Sequence, residues 1–329
     1  MTDPSRVPPQ IPDHTLLRCI GRSSYGEVWL AKNVMGTYRA VKVVYRQSFD
    51  DDRPFQREFH GIQKFEPISR SHDGLMDILQ VGRNEAEQSF YYVMELADDA
   101  AGESVKVSRC ESEQIPPAHF PTFAPSTYQP RTLRREANQR GHLPPSECVA
   151  LGLALTDALG ALHQHGLVHR DVKPSNIIFV NGLPKLADIG LVTNVDATLT
   201  YVGTEGFMAP EGPGTPQADL YGLGKVLYEI STGKDRQEFP DLPTAIRSSA
   251  EREDLLELNE VLIKACASDS HKRYQTAEEM HADLALLRSG RSIRRLHLVE
   301  KRLARARKAG LVAAGVALLA TTASESKRH

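Results

Sequence analysis

The stretch His169-Arg170-Asp171-Val172-Lys173-Pro174-Ser175-Asn176 decides how this 329-residue sequence is interpreted. The carboxylate of Asp171 can accept or orient the proton of an attacking hydroxyl, and the side-chain amide of Asn176 offers an oxygen to a divalent cation. Lys173 can neutralise charge that builds up on a transferred phosphoryl group. A charged loop after a helix is the alternative, but eight residues of such mixed types in this order favour phosphoryl transfer.

Three charged residues elsewhere fit the same chemistry. Asp188, in Asp188-Ile189-Gly190, follows Asn176 by twelve positions and can complete a Mg²⁺ site, although Asp-x-Gly alone is a common turn. Lys42 lies in a predicted strand, where it is either a solvated lysine or the partner of a carboxylate. Glu58 on the next predicted helix supplies that carboxylate, and the ion pair would direct the ammonium toward the α- and β-phosphates of ATP.

A Gly/Ser-rich turn precedes Lys42, in the sequence Gly21-Arg22-Ser23-Ser24-Tyr25-Gly26-Glu27-Val28. Glycine lets the backbone approach a phosphate closely, and successive amides in such a turn can face anionic oxygens. A turn that merely connects two strands is the alternative. The turn therefore gains its meaning from the lysine, the aspartates and the asparagine that follow it.

The apolar pattern divides the chain into a strand-rich part and a helical part. Apolar runs bounded by turn residues predict five strands before about Leu96, and the spacing of Phe55, Phe59 and Ile62 predicts one helix among them. The predicted strands cover residues 16–20, 27–31, 38–45, 76–81 and 90–94, and the helix covers 54–65. Further helices are predicted over residues 146–165, 219–231, 254–266 and 276–287.

The composition is that of an ordinary soluble protein with room for two lobes. A net charge of −2, with 25% charged residues, gives no reason to expect a nucleic-acid partner. The four cysteines lack the close spacing of a metal or redox motif, which predicts reduced thiols in the cytosol. Residues 1–13 are proline-rich and polar, and we expect a flexible lead without the pattern of a secretory signal.

Two later segments differ from the rest. Residues 98–143 contain scattered prolines and no periodicity, so we predict a disordered insertion. Residues 290–329 begin with a basic stretch and continue with an uncharged run at 309–323, which is shorter than the roughly 20 residues of a membrane span. A membrane anchor, an interfacial segment and a soluble terminal helix all remain open. Membrane association would use residues 291–323.

The motifs and their order make the sequence resemble bacterial eukaryotic-like (Hanks-type) Ser/Thr protein kinases over about residues 16–287. The resemblance implies an α+β, two-lobed protein-kinase fold. A small antiparallel β-sheet lobe with one helix would occupy residues 14–97, and a larger, mainly helical lobe residues 144–289. ATP and Mg²⁺ are implied, with Mn²⁺ as an alternative cation, as is a signalling role on the cytoplasmic side through phosphorylation of proteins.

The resemblance also assigns roles to single residues. Asp171, Lys173 and Thr204 are expected to serve catalysis, and Asn176 and Asp188 to hold the metal. The expected nucleotide-binding residues are Gly21, Ser23, Gly26, Val28, Ala40, Lys42, Glu58, Glu95 and Ala97, with Met94 as the gatekeeper beside the hinge and a residue near Ile178 closing the adenine pocket.

The type of substrate is indicated by two further features. Lys173 in the catalytic loop and Thr204 shortly before Ala209-Pro210-Glu211 are similar to Ser/Thr kinases rather than tyrosine kinases. In that family Glu211 would pair with Arg273, and Asp219 would brace the catalytic loop from inside its helix. The Ala-Pro-Glu element also shapes a docking surface for a polypeptide.

Arg170 suggests a switch, because an arginine beside the catalytic aspartate attracts an anion. We expect phosphorylated Thr198 or Thr200 to supply it, through autophosphorylation between two copies of the chain. The alternative is that these threonines are ordinary polar residues of a loop.

Two departures from the family pattern support a different class of function. Ser23 replaces the middle glycine of the phosphate loop, and Ile189 replaces the usual phenylalanine. A pseudokinase that acts as an ATP-binding signalling scaffold is therefore the alternative to a kinase. A small-molecule phosphotransferase is a third interpretation, which the Ala-Pro-Glu element disfavours.

Overall fold

The N-terminal lobe is built on a five-stranded antiparallel sheet in the order β1-β2-β3-β5-β4. The computed structural model describes residues 8–23, 25–102, 124–188, 193–194, 204–243 and 249–295. The five predicted strands are confirmed, and their register places Val28 opposite Lys42 and Lys42 opposite Tyr92. The strands are β1 (His14–Arg22), β2 (Gly26–Asn33), β3 (Tyr38–Tyr45), β4 (Ile78–Asn84) and β5 (Ser89–Met94).

The predicted helix of this lobe is α1 (Asp52–Ser69), which begins where the Asp51 carboxylate accepts a hydrogen bond from the backbone N–H of Arg53 at 2.7 Å. The rings of Phe55 and Phe59 both lie 5.2 Å from the ring of Phe90 in β5. Because Glu58 is three residues after Phe55, the same packing carries its carboxylate into the lobe, where Glu58 is buried.

The prediction of a disordered insertion at 98–143 is wrong for its described ends. The two ends pair as a short antiparallel neck, in which the N–H of Ala100 donates to Gln129 and the N–H of Arg131 donates to Asp98, both at 2.8 Å. Tyr128 at the neck is fully buried. Residues 103–123 lie outside the described residues.

A helix also follows the neck, α2 (Leu133–Arg140), where no helix is predicted. The Thr132 hydroxyl caps its first turn by accepting a hydrogen bond from the N–H of Arg135. Leu133 and Ala137 are its buried residues. Two residues spaced by four form too short an apolar stripe to be recognised beside a proline-rich stretch.

The larger lobe contains the four helices that the apolar spacing predicts. They are α3 (Pro145–Gln164), α4 (Pro216–Thr232), α5 (Ser249–Ala265) and α6 (Ala277–Arg288). Within the described ranges, α3 is the helix whose length and composition would allow a membrane span, but it is largely buried among the other helices. We therefore interpret α3 as the core helix of this lobe.

Short strands deliver the candidate site residues to one place. The strand β6 (Leu167–Val168) ends directly before His169, and β7 (Ile177–Val180) begins directly after Asn176. A hairpin joins β7 to β8 (Leu183–Leu186), which ends two residues before Asp188, while β9 (Thr193–Asn194) pairs with β6. The candidate site residues thus lie in connections between paired strands.

Candidate active site

The backbone of the catalytic loop is held by one buried carboxylate on α4. Asp219 accepts hydrogen bonds from the N–H groups of His169 and Arg170, both at 2.8 Å, and its Oδ2 lies 2.9 Å from Nε2 of His163. Arg170 adopts a left-handed backbone conformation with φ of 70°, which few non-glycine residues adopt without support. The predicted brace by Asp219 is confirmed, and it presents the next residue, Asp171.

Three side chains hold the Asp171 carboxylate. The Thr204 hydroxyl donates to Oδ1 at 3.0 Å, and Nδ2 of Asn176 donates to Oδ2 at 2.9 Å. Nζ of Lys173 lies 2.5 Å from Oδ2 and donates to the Thr204 hydroxyl at 2.8 Å. The predicted contact of Thr204 with both charged residues is confirmed. Because the Asn176 amide nitrogen faces Asp171, its Oδ1 is the atom left for a cation.

A second cluster joins the two lobes around Lys42. Its ammonium donates a short hydrogen bond to Oδ1 of Asp188 and lies 3.9 Å from Oε1 of Glu58, so the predicted ion pair between Lys42 and Glu58 is confirmed. Lys42 and Glu58 are both about 5% exposed, whereas the Asp188 side chain is 34% exposed. Two carboxylates therefore share one buried ammonium.

The electrostatics of this cluster follow from burial and the shared charge. Burial acts to lower the pKa of Lys42, but Asp188, Tyr92 and Glu58 together outweigh burial, and the Lys42 pKa lies well above its ordinary value. Burial raises the pKa of Glu58 to about 7 despite Lys42. Burial also acts to raise the pKa of Asp188, but Lys42 reverses this and holds it below the ordinary value. The lowered pKa favours the ionised form of Asp188, which is the form that could hold a divalent cation.

The two clusters are connected through the backbone beside Asp188. The N–H of Ala187 donates to the carbonyl of Asn176 at 2.8 Å, and Nε2 of His169 lies 3.1 Å from the Ala187 carbonyl. Asp188 itself has a left-handed backbone with φ of 59°. Asn176 Oδ1 and the ionised Asp188 are hard oxygen donors, and two protein ligands with phosphates and waters suit a small divalent cation. The residues present therefore fit a nucleotide-bound metal.

Tyr92 is a site residue that the sequence analysis did not identify. It is fully buried in β5, and Nζ of Lys42 lies 5.9 Å from its ring centroid. Burial raises the pKa of the Tyr92 hydroxyl, and its interaction with Lys42 acts in the opposite direction. A tyrosine two residues before the gatekeeper Met94 is the sequence signal that could have indicated it.

The glycine-rich turn is closed by its own backbone. The N–H of Ser23 donates to the Gly26 carbonyl at 2.9 Å, and the Ser23 hydroxyl reaches the same carbonyl at 3.4 Å. A side chain at Gly26 would lie 2.1 Å from the Val43 carbonyl, so only glycine fits there. Gly21 lies near the end of β1, and Val28, its partner on the adjacent strand β2, packs against the core. Ser23 thus preserves the tight turn.

The hinge connects β5 to the neck. Ala40 pairs in register with Met94, and both are buried. The Glu95 carboxylate accepts a hydrogen bond from Lys185 at 2.7 Å, and the backbone N–H of Glu95 donates to the Asp77 carbonyl at 3.2 Å. The Ala97 carbonyl accepts one from the Tyr128 hydroxyl at 3.0 Å, a contact that the sequence did not predict.

The element Ala209-Pro210-Glu211 is anchored through Glu211, as the sequence analysis predicts. Arg273 donates two hydrogen bonds to the Glu211 carboxylate, at 2.5 and 2.8 Å, and its side chain is fully buried. Ile189, Thr198 and Thr200 lie outside the described residues.

Arg170 is the buried cation beside the catalytic aspartate. It is 7% exposed, and its Nε and Nη2 have no acceptor within the described ranges. Burial lowers its pKa, and the positive charge of Arg57 on α1 lowers it further, while Asp219 acts in the opposite direction. Two guanidinium groups near each other favour an anion between them.

Comparison with known proteins agrees with this geometry. The family model of the protein kinase domain matches residues 14–287. The chain is 30% identical to the Ser/Thr-protein kinase PknB of Mycobacterium leprae over 86% of its own length and 44% of that protein. It is 28% identical to a probable PknB of Lactococcus lactis over 83% of its length and 41% of that protein, and 26% identical to PrkC of Bacillus subtilis over 82% and 40%.

The chain spans less than half the length of these relatives. The matched family model covers both lobes and every catalytic residue described above. The chain therefore belongs to the protein kinase domain family, and within it the chain is similar to bacterial Ser/Thr kinases of the PknB and PrkC type.

Proposed function

We propose that this chain transfers the γ-phosphoryl group of ATP to serine and threonine hydroxyls of proteins, with Mg²⁺ as the cation and Mn²⁺ as an alternative. The observation that carries the proposal is the Asp171 carboxylate, which Thr204, Lys173 and Asn176 hold together. A carboxylate held in this way can orient the attacking hydroxyl and accept its proton.

The other residues of the chain serve position and charge. Lys42 would bind the α- and β-phosphates, with Glu58 as its remaining partner, and Asn176 and Asp188 would hold the cation. When bound, the cation neutralises charge on the phosphates. Lys173 adds positive charge where the transferred group passes the Asp171 carboxylate. Positioning and electrostatic stabilisation would therefore supply most of the rate.

The nucleotide would lie between the lobes. Gly21, Ser23 and Gly26 would cover its phosphates, and Val28, Ala40 and Ile178 would enclose the adenine. The backbone of Glu95 and Ala97 would bind the edge of the ring. Support comes from the strand register, which places Val28 and Ala40 on the β2 and β3 strands beside Lys42 and Met94.

The test is phosphate transfer from ATP to the chain itself and to dephosphorylated casein, with Asp171→Ala as the control. We expect transfer by the wild type that chelation of divalent cations abolishes and that Mg²⁺ restores. Wild-type transfer no greater than that of Asp171→Ala would favour the scaffold function. Transfer restored by Mn²⁺ alone would revise the cation.

We also propose that phosphorylated Thr198 or Thr200 binds the buried guanidinium of Arg170, after autophosphorylation between two copies. The support is the absence of an acceptor for Arg170 Nε and Nη2 among the described residues, and the nearby charge of Arg57. Mass spectrometry of fresh protein should find phosphate between residues 188 and 211. Full activity without any such phosphate would contradict the proposal.

Attachment to a membrane through residues 291–323 is a separate proposal, with the kinase lobes on the cytoplasmic side. Its support is the basic stretch before the apolar run, and residues 296–329 lie outside the described residues. Fractionation of the full chain against a version ending at Ser289 tests it. Equal solubility of the two would remove the anchor.

A further inference from the structure

Arg236 links a loop near the catalytic centre to the end of α4. Its Nε donates to the Glu205 carbonyl at 3.0 Å, and its guanidinium lies 4.7 Å from the ring centroid of Phe207. Glu205 directly follows Thr204, whose hydroxyl contacts Asp171. One guanidinium thus holds the loop on both sides of Gly206.

Gly206 is shaped for this contact. Its φ of +84° favours glycine, and a side chain there would lie 2.7 Å from Nε of Arg236 and 2.9 Å from its Cγ. The backbone of the loop therefore approaches the arginine as closely as a backbone without a side chain can. This close approach explains why the loop turns at a glycine.

Arg236 is itself held in place by two residues of α4. Lys225 on α4 is 7% exposed, and its Nζ donates to the Arg236 carbonyl at 3.1 Å while lying 4.6 Å from the ring of Phe239. Nη1 of Arg236 lies 3.7 Å from the Glu229 carboxylate. A buried lysine is costly without such partners, so its place here indicates that the backbone at Arg236 needs a fixed position.

We propose that Arg236 is a positioning residue that sets the loop Glu205–Phe207 for the polypeptide whose hydroxyl is phosphorylated. The inference rests on the proposed function, because the loop follows Thr204 at the catalytic centre and precedes the Ala-Pro-Glu element. Arg236 touches neither Lys42 nor the carboxylates of the nucleotide site. Its loss should therefore weaken binding of the protein substrate and leave the binding of ATP nearly unchanged.

The planar guanidinium is essential to the argument. One face of the group stacks on Phe207 while its edge donates to Glu205, and the point charge of a lysine cannot do both. Arg236→Lys should therefore resemble Arg236→Ala. A role that needed only a positive charge beside Glu229 would instead be restored by lysine.

Arg134 offers a matched control. It donates two hydrogen bonds to the same Glu229 carboxylate, at 2.9 and 3.0 Å, from helix α2. Arg134→Ala removes an arginine from Glu229 without touching the loop Glu205–Phe207. A general effect of charge on this surface would appear in both variants, whereas loop positioning would appear only in variants of Arg236.

The experiment measures steady-state kinetics with dephosphorylated casein and with ATP as the varied substrate. In Arg236→Ala and Arg236→Lys we expect the KM for casein to rise about tenfold, the scale of one lost charge-assisted hydrogen bond. The KM for ATP should stay within about twofold, and Arg134→Ala should match the wild type. If Arg236→Ala does not fold, Arg236→Lys carries the same prediction.

Three results would overturn the inference. An unchanged KM for casein in a folded, active Arg236 variant would do so, as would equal increases for casein and ATP. Equal effects of the Arg134 and Arg236 variants would also do so. Wild-type transfer no greater than that of Asp171→Ala would instead overturn the proposed function, and this inference with it.

Discussion

Asp219 is a residue at which replacement of a single atom should change both the stability of the fold and the rate of catalysis. Its Oδ2 accepts from the His169 N–H and lies 2.9 Å from Nε2 of His163, and its Oδ1 accepts from the Arg170 N–H. The Asp219 side chain is 1% exposed, so water cannot replace these bonds. The substitution Asp219→Asn keeps the size of the side chain and replaces one acceptor by a donor.

Neither orientation of the asparagine amide satisfies the loop. With its oxygen toward His169, the NH₂ group faces the Arg170 N–H, and with its oxygen toward Arg170, the NH₂ group faces the His169 N–H. One buried backbone donor is therefore left without an acceptor, which costs about 1–3 kcal/mol, and the charge-assisted character of the other bond is lost. We expect the free energy of unfolding to fall by about 2–4 kcal/mol in total.

The same substitution should slow catalysis, because Asp171 follows the two braced residues. A shift of about 1 Å in a catalytic group costs on the order of 100-fold in rate, and we expect kcat to fall by about that factor. Urea denaturation measures the loss of stability, and phosphate transfer to casein measures the loss of rate.

A second aspartate–histidine pair provides the control. Nε2 of His72 lies 3.1 Å from Asp157, whose side chain is 67% exposed. Asp157→Asn should change the free energy of unfolding by less than about 0.5 kcal/mol, because water replaces the lost contact. If Asp219→Asn were as mild as Asp157→Asn, the account of the catalytic loop as a structure braced by one carboxylate would be refuted.

Three further predictions concern buried groups near the nucleotide site. Tyr92→Phe removes a buried hydroxyl that interacts with the Lys42 ammonium and should lower the free energy of unfolding by about 1 kcal/mol. Tyr91→Phe, whose hydroxyl lies 3.5 Å from Nε2 of Gln80, should have a smaller effect, and unchanged stability in Tyr92→Phe would mean that its hydroxyl makes no such bond. The pKa of Glu58 is about 7 in the folded chain against an ordinary 4.5, so between these pH values the folded state binds one proton more than the unfolded state, and stability should fall as pH rises through this window. In urea titrations at each pH, a Glu58→Gln variant should lack this fall in stability, and identical pH profiles of wild type and variant would contradict the raised pKa. Tyr128→Phe leaves the Ala97 carbonyl without its donor, which costs about 1–3 kcal/mol of stability and should lower the melting temperature by a few degrees. An unchanged melting temperature would mean that another donor takes the place of the Tyr128 hydroxyl.

The sequence could predict those residues of the candidate site whose type is restricted by the chemistry. Lys42, Asp171 and Asp188 stand in patterns that few other functions require, so their resemblance to protein-kinase motifs predicted that they share one site. Glu58 could be proposed as the partner of Lys42 because it is a carboxylate on the next predicted helix, in the turn before Ile62. The five strands and the long helices followed from apolar periodicity for a similar reason, since each presents one continuous face to the core.

The supporting residues could not be predicted, because their roles depend on contacts between distant segments. Nothing local distinguishes Tyr128 from a loop tyrosine until the neck brings it to Ala97, 31 residues earlier. Likewise, Arg18 in β1 donates to the Pro125 carbonyl at 3.3 Å and to Tyr128, contacts across more than 100 residues that no periodicity reveals.

In the Lys42 cluster, two carboxylates that the sequence motifs predict compete for one ammonium. In the described arrangement Asp188 takes the short contact with the ammonium, and Glu58 stays at 3.9 Å. An ammonium between two carboxylates leaves one negative charge in excess, and the pKa of Glu58 is raised mainly by burial, with the Asp188 charge as a smaller contribution. A cation bound by Asp188 would remove the excess and leave Glu58 as the partner of Lys42. We therefore expect a cation held by Asp188 to shift the Lys42 ammonium toward Glu58.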